Sequence, residues 1–283
     1  MREGGKRMIR ILTLMENRMG EHKGLTAEHG LSFLIEGDGK RILFDCGSGE
    51  NTLKNAVKLN VDPASVDILA FSHSHYDHAA GFLSLAEQGL RAETYIGEGF
   101  FQEKYADCGQ GKYTYLGCGF SEAYLRDHVS SLTVNQGTVR LTDHCVLETS
   151  FPRVHAFEQV PSRFVKWDGK EMAQDLFEDE QCLVLDLGEE IAVVVGCSHP
   201  GILNMLSEVR RRWQKPICAV LGGTHLVEAD EERTRQTIRE MKAMGIRNLG
   251  LNHCSGAQAE EWIDQDETVI HTHLSVGACM FME

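Results

Sequence analysis

From Val66 to His78 an apolar run, Val-Asp-Ile-Leu-Ala-Phe, opens into Ser-His-Ser-His-Tyr-Asp-His. His73, His75, Asp77 and His78 form the pattern H-x-H-x-D-H. Imidazole nitrogen and carboxylate oxygen are the ligands that zinc, iron and manganese prefer. Residues two apart in an extended segment point the same way, so His73 and His75 can share one metal. Asp77 and His78 follow in the turn and can face a neighbouring position. One short loop could therefore supply half the ligands of a two-metal site. Titratable groups rarely gather this densely at a strand end for packing reasons.

The flanking segments read as the elements that would carry this loop. Residues 8–15 (MIRILTLM), 31–36 (LSFLIE) and 40–46 (KRILFDC) are apolar runs expected to be strands, the last ending in a turn at Asp45-Cys46-Gly47. Residues 52–59 have helical spacing, 66–72 form the strand that delivers the loop, and a helix starts at Gly81 and Phe82. Residues 97–180 are the least regular part, rich in glycine and aromatic residues. They are expected to decorate the scaffold, either as a lid or as a structural insertion. Order returns with a hairpin, 181–187 and 191–196, turning at Gly188-Glu189-Glu190. Helix 204–213, strand 217–221, helix 230–244 and strand 248–252 follow.

Three further motifs each place a histidine just past an apolar strand: Gly196-Cys197-Ser198-His199, Gly222-Gly223-Thr224-His225 and Asn252-His253-Cys254. Open α/β architectures collect ligand groups at strand ends, so three in register point to one site. Gly222 and Gly223 would allow a close backbone approach to an anion. Asp179 and Glu180 are carboxylates at a candidate site edge, where a solvated turn is the favoured reading. Asn17, Glu28 and His29 could line a pocket or form turns. His271 and His273 alternate in a strand-like stretch and could approach the site, with a structural role favoured.

At 283 residues the chain can bury a full core as one domain. Hydrophobic content of 42% with 25% charged residues is that of a soluble protein, and no apolar run is long enough to span a membrane. The net charge of −14 argues against a nucleic-acid partner but not against a small anionic substrate, because bound metals would dominate the local field. The start, MREGGKRMIR, lacks the apolar stretch of an export signal. Nine cysteines without C-x-x-C pairs are then expected to be reduced thiols in a cytoplasmic protein. Nothing in the sequence speaks to oligomeric state.

The H-x-H-x-D-H loop after an apolar strand, with the Asp-Cys-Gly turn before it, resembles the metallo-β-lactamase superfamily. The resemblance implies an α/β fold, a four-layer αβ/βα sandwich with metals at the strand ends between two sheets. HSHYDH, GCSHPGI, GGTHL and NHCSG, with the earlier AEHGLSFLIE, narrow it to one group. It is the group named for 7,8-dihydropterin-6-methyl-4-(β-D-ribofuranosyl)-aminobenzene 5'-phosphate synthase. That group is described as joining a dihydropterin methyl diphosphate to a ribofuranosylaminobenzene phosphate with release of diphosphate.

The resemblance implies a metal-dependent enzyme holding two divalent ions, zinc first, with manganese or iron as alternatives. Its ligands would be His73, His75, Asp77, His78, His199 and His253, the last in the place of the superfamily's final metal histidine. Many members carry a metal-bridging Asp where this chain has Cys197. His199 is favoured there as ligand, and Cys197 either bridges or packs. Asp77 would orient the attacking group. His225 could bind metal, contact phosphate or act as general acid, or support the site from beneath. The expected substrate is a phosphorylated or diphosphate-bearing small molecule. A plain hydrolase of a phosphodiester, lactone or thioester is the alternative. A di-iron redox protein, a sensor and a non-catalytic metal-binding module rank lower.

Overall fold

Apolar residues run almost without a break along the central strands because those strands are buried on both faces, successive side chains entering opposite cores. In β1 (Ile9–Met15), Ile9 and Ile11 enter one core, while Leu12 and Leu14 enter another. The computed structural model describes residues 8–21 and 23–283. Residues 1–7, most of the segment read above for an export signal, lie outside the described residues. After β1 come β2 (Ser32–Gly37), β3 (Lys40–Phe44), β4 (Ile68–Ala70), β5 (Glu93–Gly97), β6 (Lys104–Asp107), β7 (Tyr113–Tyr115), β8 (Ser131–Asn135) and β9 (Val139–Arg140). The second half holds β10 (Cys145–Thr149), β11 (Phe164–Trp167), β12 (Met172–Gln174), β13 (Gln181–Asp186), β14 (Ile191–Val195), β15 (Ile217–Gly222), β16 (Asn248–Leu251), β17 (Ile270–His271) and β18 (Cys279–Met282). The α-helices are α1 (Glu50–Lys58), α2 (Tyr76–Ala79), α3 (Phe82–Glu87), α4 (Glu122–His128), α5 (Ile202–Trp213), α6 (Glu231–Ala243) and α7 (Ala257–Asp264).

Two seven-stranded sheets face each other, in the orders β18-β1-β2-β3-β4-β5-β8 and β17-β16-β15-β14-β13-β10-β9. Between them lies a core that includes Phe33, Phe44, Leu147, Leu183, Val194 and Leu221. The outer face of the first sheet is covered by α1, α3 and α4 through Ala56, Phe82, Leu85 and Leu125. The outer face of the second is covered by α5, α6 and α7 through Met205, Val209, Met241 and Ile263. This is the expected four-layer αβ/βα sandwich. Each fully buried Phe or Leu contributes about 1.5–3 kcal/mol to holding the layers together. No helix among the described residues is long and apolar enough to cross a membrane.

Strand direction is what makes a site. β3, β4 and β5 run parallel in one sheet, and β14, β15 and β16 run parallel in the other. The loops that follow β3, β4, β14, β15 and β16 then converge at one rim. Segment 97–180 divides its elements three ways. α4 and β8 join the first half, β9 and β10 extend the second sheet, and β12-β11-β6-β7 form a small separate sheet.

Two readings need revision. Asp77 and His78 lie not in an open turn but in α2, one helical turn whose N-cap is His75. The stretch VIHTHL pairs with β16 only at Ile270 and His271. His273 leaves the sheet because its imidazole lies between two carboxylates, Glu16 at 3.2 Å and Glu260 at 2.9 Å.

Candidate metal centre

The Asp45-Cys46-Gly47 turn anchors the ligand loop. Asp45 adopts a left-handed conformation, with φ of 62°. Its carboxylate accepts from Ser72 N at 2.7 Å and Ser72 Oγ at 2.6 Å, and its Oδ2 lies 2.6 Å from His78 Nδ1. The last contact directs His78 Nε2 away from Asp45 and into the cluster. Cys46 N donates to His78 O at 2.6 Å, and Gly81 N donates to Gly47 O at 2.9 Å. A Cβ at Gly81 would overlap the Cys46 carbonyl, so only glycine lets α2 and α3 pack this closely on the turn.

His73, His75 and His199 form a triangle, with ring centroids 4.7, 4.8 and 4.9 Å apart. His73 Nε2, His75 Nε2 and both nitrogens of His199 are buried without a hydrogen-bond partner. Each such atom costs roughly 1–3 kcal/mol if nothing satisfies it, so their convergence fits a bound cation. Burial holds all three imidazoles well below the ordinary histidine range. They are therefore neutral, the form that ligates metal.

A second group adjoins the first. His78 Nε2 lies 3.2 Å from His253 Nε2, which lies 3.3 Å from Asp77 Oδ2. His253 is held by Glu16, which accepts its backbone N–H at 2.8 Å, and by Asn17 Oδ1, 2.9 Å from its Nδ1. Burial disfavours ionisation of Asp77, but His78 and His253 outweigh it and keep the carboxyl well below its usual range. For His78 burial likewise opposes charge, and Asp45 and Asp77 overcome it, raising the imidazole to about 9. A cation between Asp77, His78 and His253 would take the place of that proton.

All six residues read as ligands thus come together, and Cys197 lies among them, its Sγ 3.1 Å from His78 Nε2. His29 also approaches, with Nε2 3.1 Å from Asp77 Oδ2. Asn17 and His29 line the cleft above the centre, whereas Glu28 is turned away to Ser48 and Asn51. His225 also lines the cleft, its ring 4.3 Å from His199, and burial pushes its pKa down to about 4. It is a neutral imidazole there, placed to donate or accept a hydrogen bond.

Asp179 and Glu180 correct the reading of a solvated turn, since each is 1% exposed. Asp179 Oδ2 accepts from Ser74 N at 2.9 Å, between His73 and His75 in sequence. Glu180 Oε1 accepts from Ser198 N at 3.0 Å, between Cys197 and His199. Both ligand loops would otherwise bury unpaired N–H groups, which explains why carboxylates occupy these positions. Asp179 in turn pairs with the buried Lys104 of β6. Nothing in the local pattern of Lys104 marks it, because its partners come from distant segments. Glu16 was within reach of the strand-end argument, since it directly follows β1.

The segment 97–180 also walls the centre. Phe177 stacks flat on His199 at 3.8 Å and 10°, and Phe164 packs against His75 and His225. Arg163 lies over Phe164 at 4.1 Å and pairs with Glu228. The cleft that remains is about 400 Å³, and Arg163 is the sole Lys or Arg among its described lining residues.

An expected result follows for Asp45. A carboxylate that orients a metal-binding histidine typically sets affinity by about 10–100-fold. Asp45→Asn should weaken binding of the ion nearest His78 by that factor, measured by competition with a chromogenic chelator. Unchanged affinity would show that packing alone orients His78.

The metallo-β-lactamase superfamily profile matches residues 25–90. Across 89% of both chains, this sequence is 30% identical to 7,8-dihydropterin-6-methyl-4-(β-D-ribofuranosyl)-aminobenzene-5'-phosphate synthase of Methanocaldococcus jannaschii. It is 26% identical to an uncharacterized protein of the same organism, over 94% of this chain and 98% of the other. The crystal structure of Tm1679, a metal-dependent hydrolase of the β-lactamase superfamily, superposes with a TM-score of 0.83 at 26% identity. That match covers 96% of this chain and 98% of Tm1679.

Proposed function

The chain belongs to the metallo-β-lactamase superfamily, in the group of the dihydropterin-ribofuranosylaminobenzene phosphate synthase, and on that premise we propose that it uses two divalent ions to act on a phosphorylated or diphosphate-bearing small molecule. The observation that carries this reading is three adjoining donor groups, His73 with Cys197 and His199, His78 with Cys197 and His253, and His29 with Asp77 and His253, beneath a cleft in which Arg163 is the sole Lys or Arg among the described lining residues. His73, His75 and His199 would hold one ion, and Asp77, His78 and His253 the other, with zinc the first choice for this donor set. Bound there, the ions would supply Lewis acidity toward a phosphoryl group.

The protein's own side chains do the rest. Arg163, stacked on Phe164, offers planar N–H donors to a substrate phosphate. Glu228 holds it at the cleft until the substrate arrives. Phe164 and Phe177 exclude water from the side of His75 and His199. His225, neutral in the cleft, can donate a hydrogen bond to a leaving oxygen. Transfer from a diphosphate ester to an aminobenzene acceptor is the reading favoured by the 30% identical synthase. Plain hydrolysis is the second, favoured by the likeness to Tm1679. The net charge of −14 argues against a nucleic-acid backbone as the substrate in either reading.

The test uses the zinc- or manganese-loaded protein with phosphate monoesters, diphosphate esters, a neutral lactone and a neutral thioester. Turnover is expected for the phosphorylated compounds alone, with products followed by phosphorus NMR. Diphosphate release that requires the aminobenzene acceptor identifies transfer, and release without it identifies hydrolysis. Arg163→Met should raise KM for the preferred compound on the order of 10-fold with kcat little changed. Equal or faster turnover of the neutral compounds would overturn the substrate class.

A further inference from the structure

We infer that His273 is a positioning residue for the metal centre: by bridging Glu16 and Glu260 it fixes the carboxylate that holds the backbone of His253, and so sets the affinity of the ion at Asp77, His78 and His253 without touching it. The inference rests on the two-metal reading above.

His253 needs holding. Its φ of 50° is left-handed, a conformation that is costly for a residue with a side chain and persists only where its surroundings enforce it. Two consecutive residues just past β1 do so. Asn17 Nδ2 donates to His253 O at 3.2 Å, and Glu16 Oε1 accepts from His253 N at 2.8 Å. Glu16 is 0% exposed, so its carboxylate stays charged only if it is paired. Among the described residues His273 is the one basic side chain paired with it, Nε2 lying 3.2 Å from Oε2.

The other nitrogen of His273, Nδ1, lies 2.9 Å from Glu260 Oε2, in the first turn of α7. A neutral imidazole carries one N–H, so contacts from both ring nitrogens to carboxylates identify a doubly protonated ring. Burial opposes that charge, but Glu16 and Glu260 outweigh it and raise the imidazole to about 9. Arg18 closes the network. Its backbone N donates to Glu16 Oε2 at 2.6 Å and its guanidinium to Glu260 Oε2 at 2.8 Å. His273 thereby ties the end of β1, the start of α7 and the segment after β17 around His253. It belongs to none of the donor groups itself.

The support is one-sided. The loops carrying His73, His75 and His199 rest on Asp179 and Glu180 instead. Among the described residues, the hydrogen bonds and ion pairs of His273, Glu16 and Glu260 reach His253 and none of those three histidines. Loss of His273 should therefore loosen one ion and spare the other.

The test is His273→Gln. A Gln amide has one donor group and one acceptor group, so it cannot donate to both carboxylates from opposite sides as the charged ring does. Zinc affinities are measured by competition with a chromogenic chelator, and cadmium NMR gives each bound ion its own resonance. One affinity should fall about 10–100-fold and the other stay unchanged. The resonance weakened should be the one missing from Asp77→Asn. His273→Arg, which restores a cation with several donors, should recover most of the loss. If His273→Gln does not fold by circular dichroism, Glu260→Gln takes its place. That variant removes one of the two acceptors and should act in the same direction. Two affinities that fall together, or neither falling, would overturn the positioning role and leave the two-metal reading standing. A selective loss that Arg does not restore would overturn the cationic bridge. A single equivalent bound by the unaltered protein would overturn the two-metal reading and, with it, the claim of selectivity.

Discussion

Asp77→Asn is expected to leave the protein folded, to remove about one equivalent of metal and to lower kcat/KM on the order of 10³-fold. Asn has the shape of Asp, so α2 and its contacts with the Asp-Cys-Gly turn persist. What is lost is the negative charge. Asp77 Oδ2 faces three imidazoles, His29 at 3.1 Å, His253 at 3.3 Å and His78 at 3.8 Å. It is the one carboxylate among the six expected ligands, so without it the second position keeps only imidazoles from that set. Elemental analysis of purified wild-type and variant protein, beside steady-state kinetics, checks this. Full metal content in the variant would remove Asp77 from the ligand set. Full metal with lost activity would restrict it to handling the substrate.

Lys104→Met should destabilise the fold by about 3–5 kcal/mol, the effect of removing one partner from a buried ion pair. Lys104 is 2% exposed and lies beside Asp175, 3.3 Å away, and Asp179, with its ammonium 4.8 Å from the Phe177 ring centroid. Burial opposes its charge, but the two carboxylates outweigh that and raise its pKa. Without the cation, two buried carboxylates face each other uncompensated. Asp179 also supports the N–H between His73 and His75, so metal affinity should fall along with stability. The midpoint of urea unfolding measures the first effect. The double variant Lys104→Met with Asp175→Asn should recover part of it, because one uncompensated charge is then gone. A loss below about 1 kcal/mol would show that water reaches the cluster and that Lys104 is dispensable.

The elements of the sandwich were legible because they are periodic. β13 and β14 form the expected hairpin, and β15 and β16 lie close to where their apolar runs stop. The first ligand loop was legible because its residues are contiguous. Asp179 and Glu180 were misread because local composition reports exposure only on average. Two acidic residues before a strand are usually solvated, and here they are buried to satisfy loop N–H groups from other parts of the chain. Phe164 and Phe177 had no signal, since their role depends on a small sheet whose strands lie far apart in sequence.

The sequence by itself determined the donor chemistry. It holds histidines and a carboxylate at the ends of parallel strands, and local periodicity suffices to place residues at strand ends. Tertiary structure alone decided which of those donors adjoin, that Cys197 lies among them, and that Lys104 pins the first loop from a segment 75 residues away from its partner Asp179. The physical reason is that ligation and charge pairing depend on separations of a few ångströms between distant residues. Those separations are set by how two sheets, their connecting turns and an irregular segment pack together, and no repeat along the chain records them.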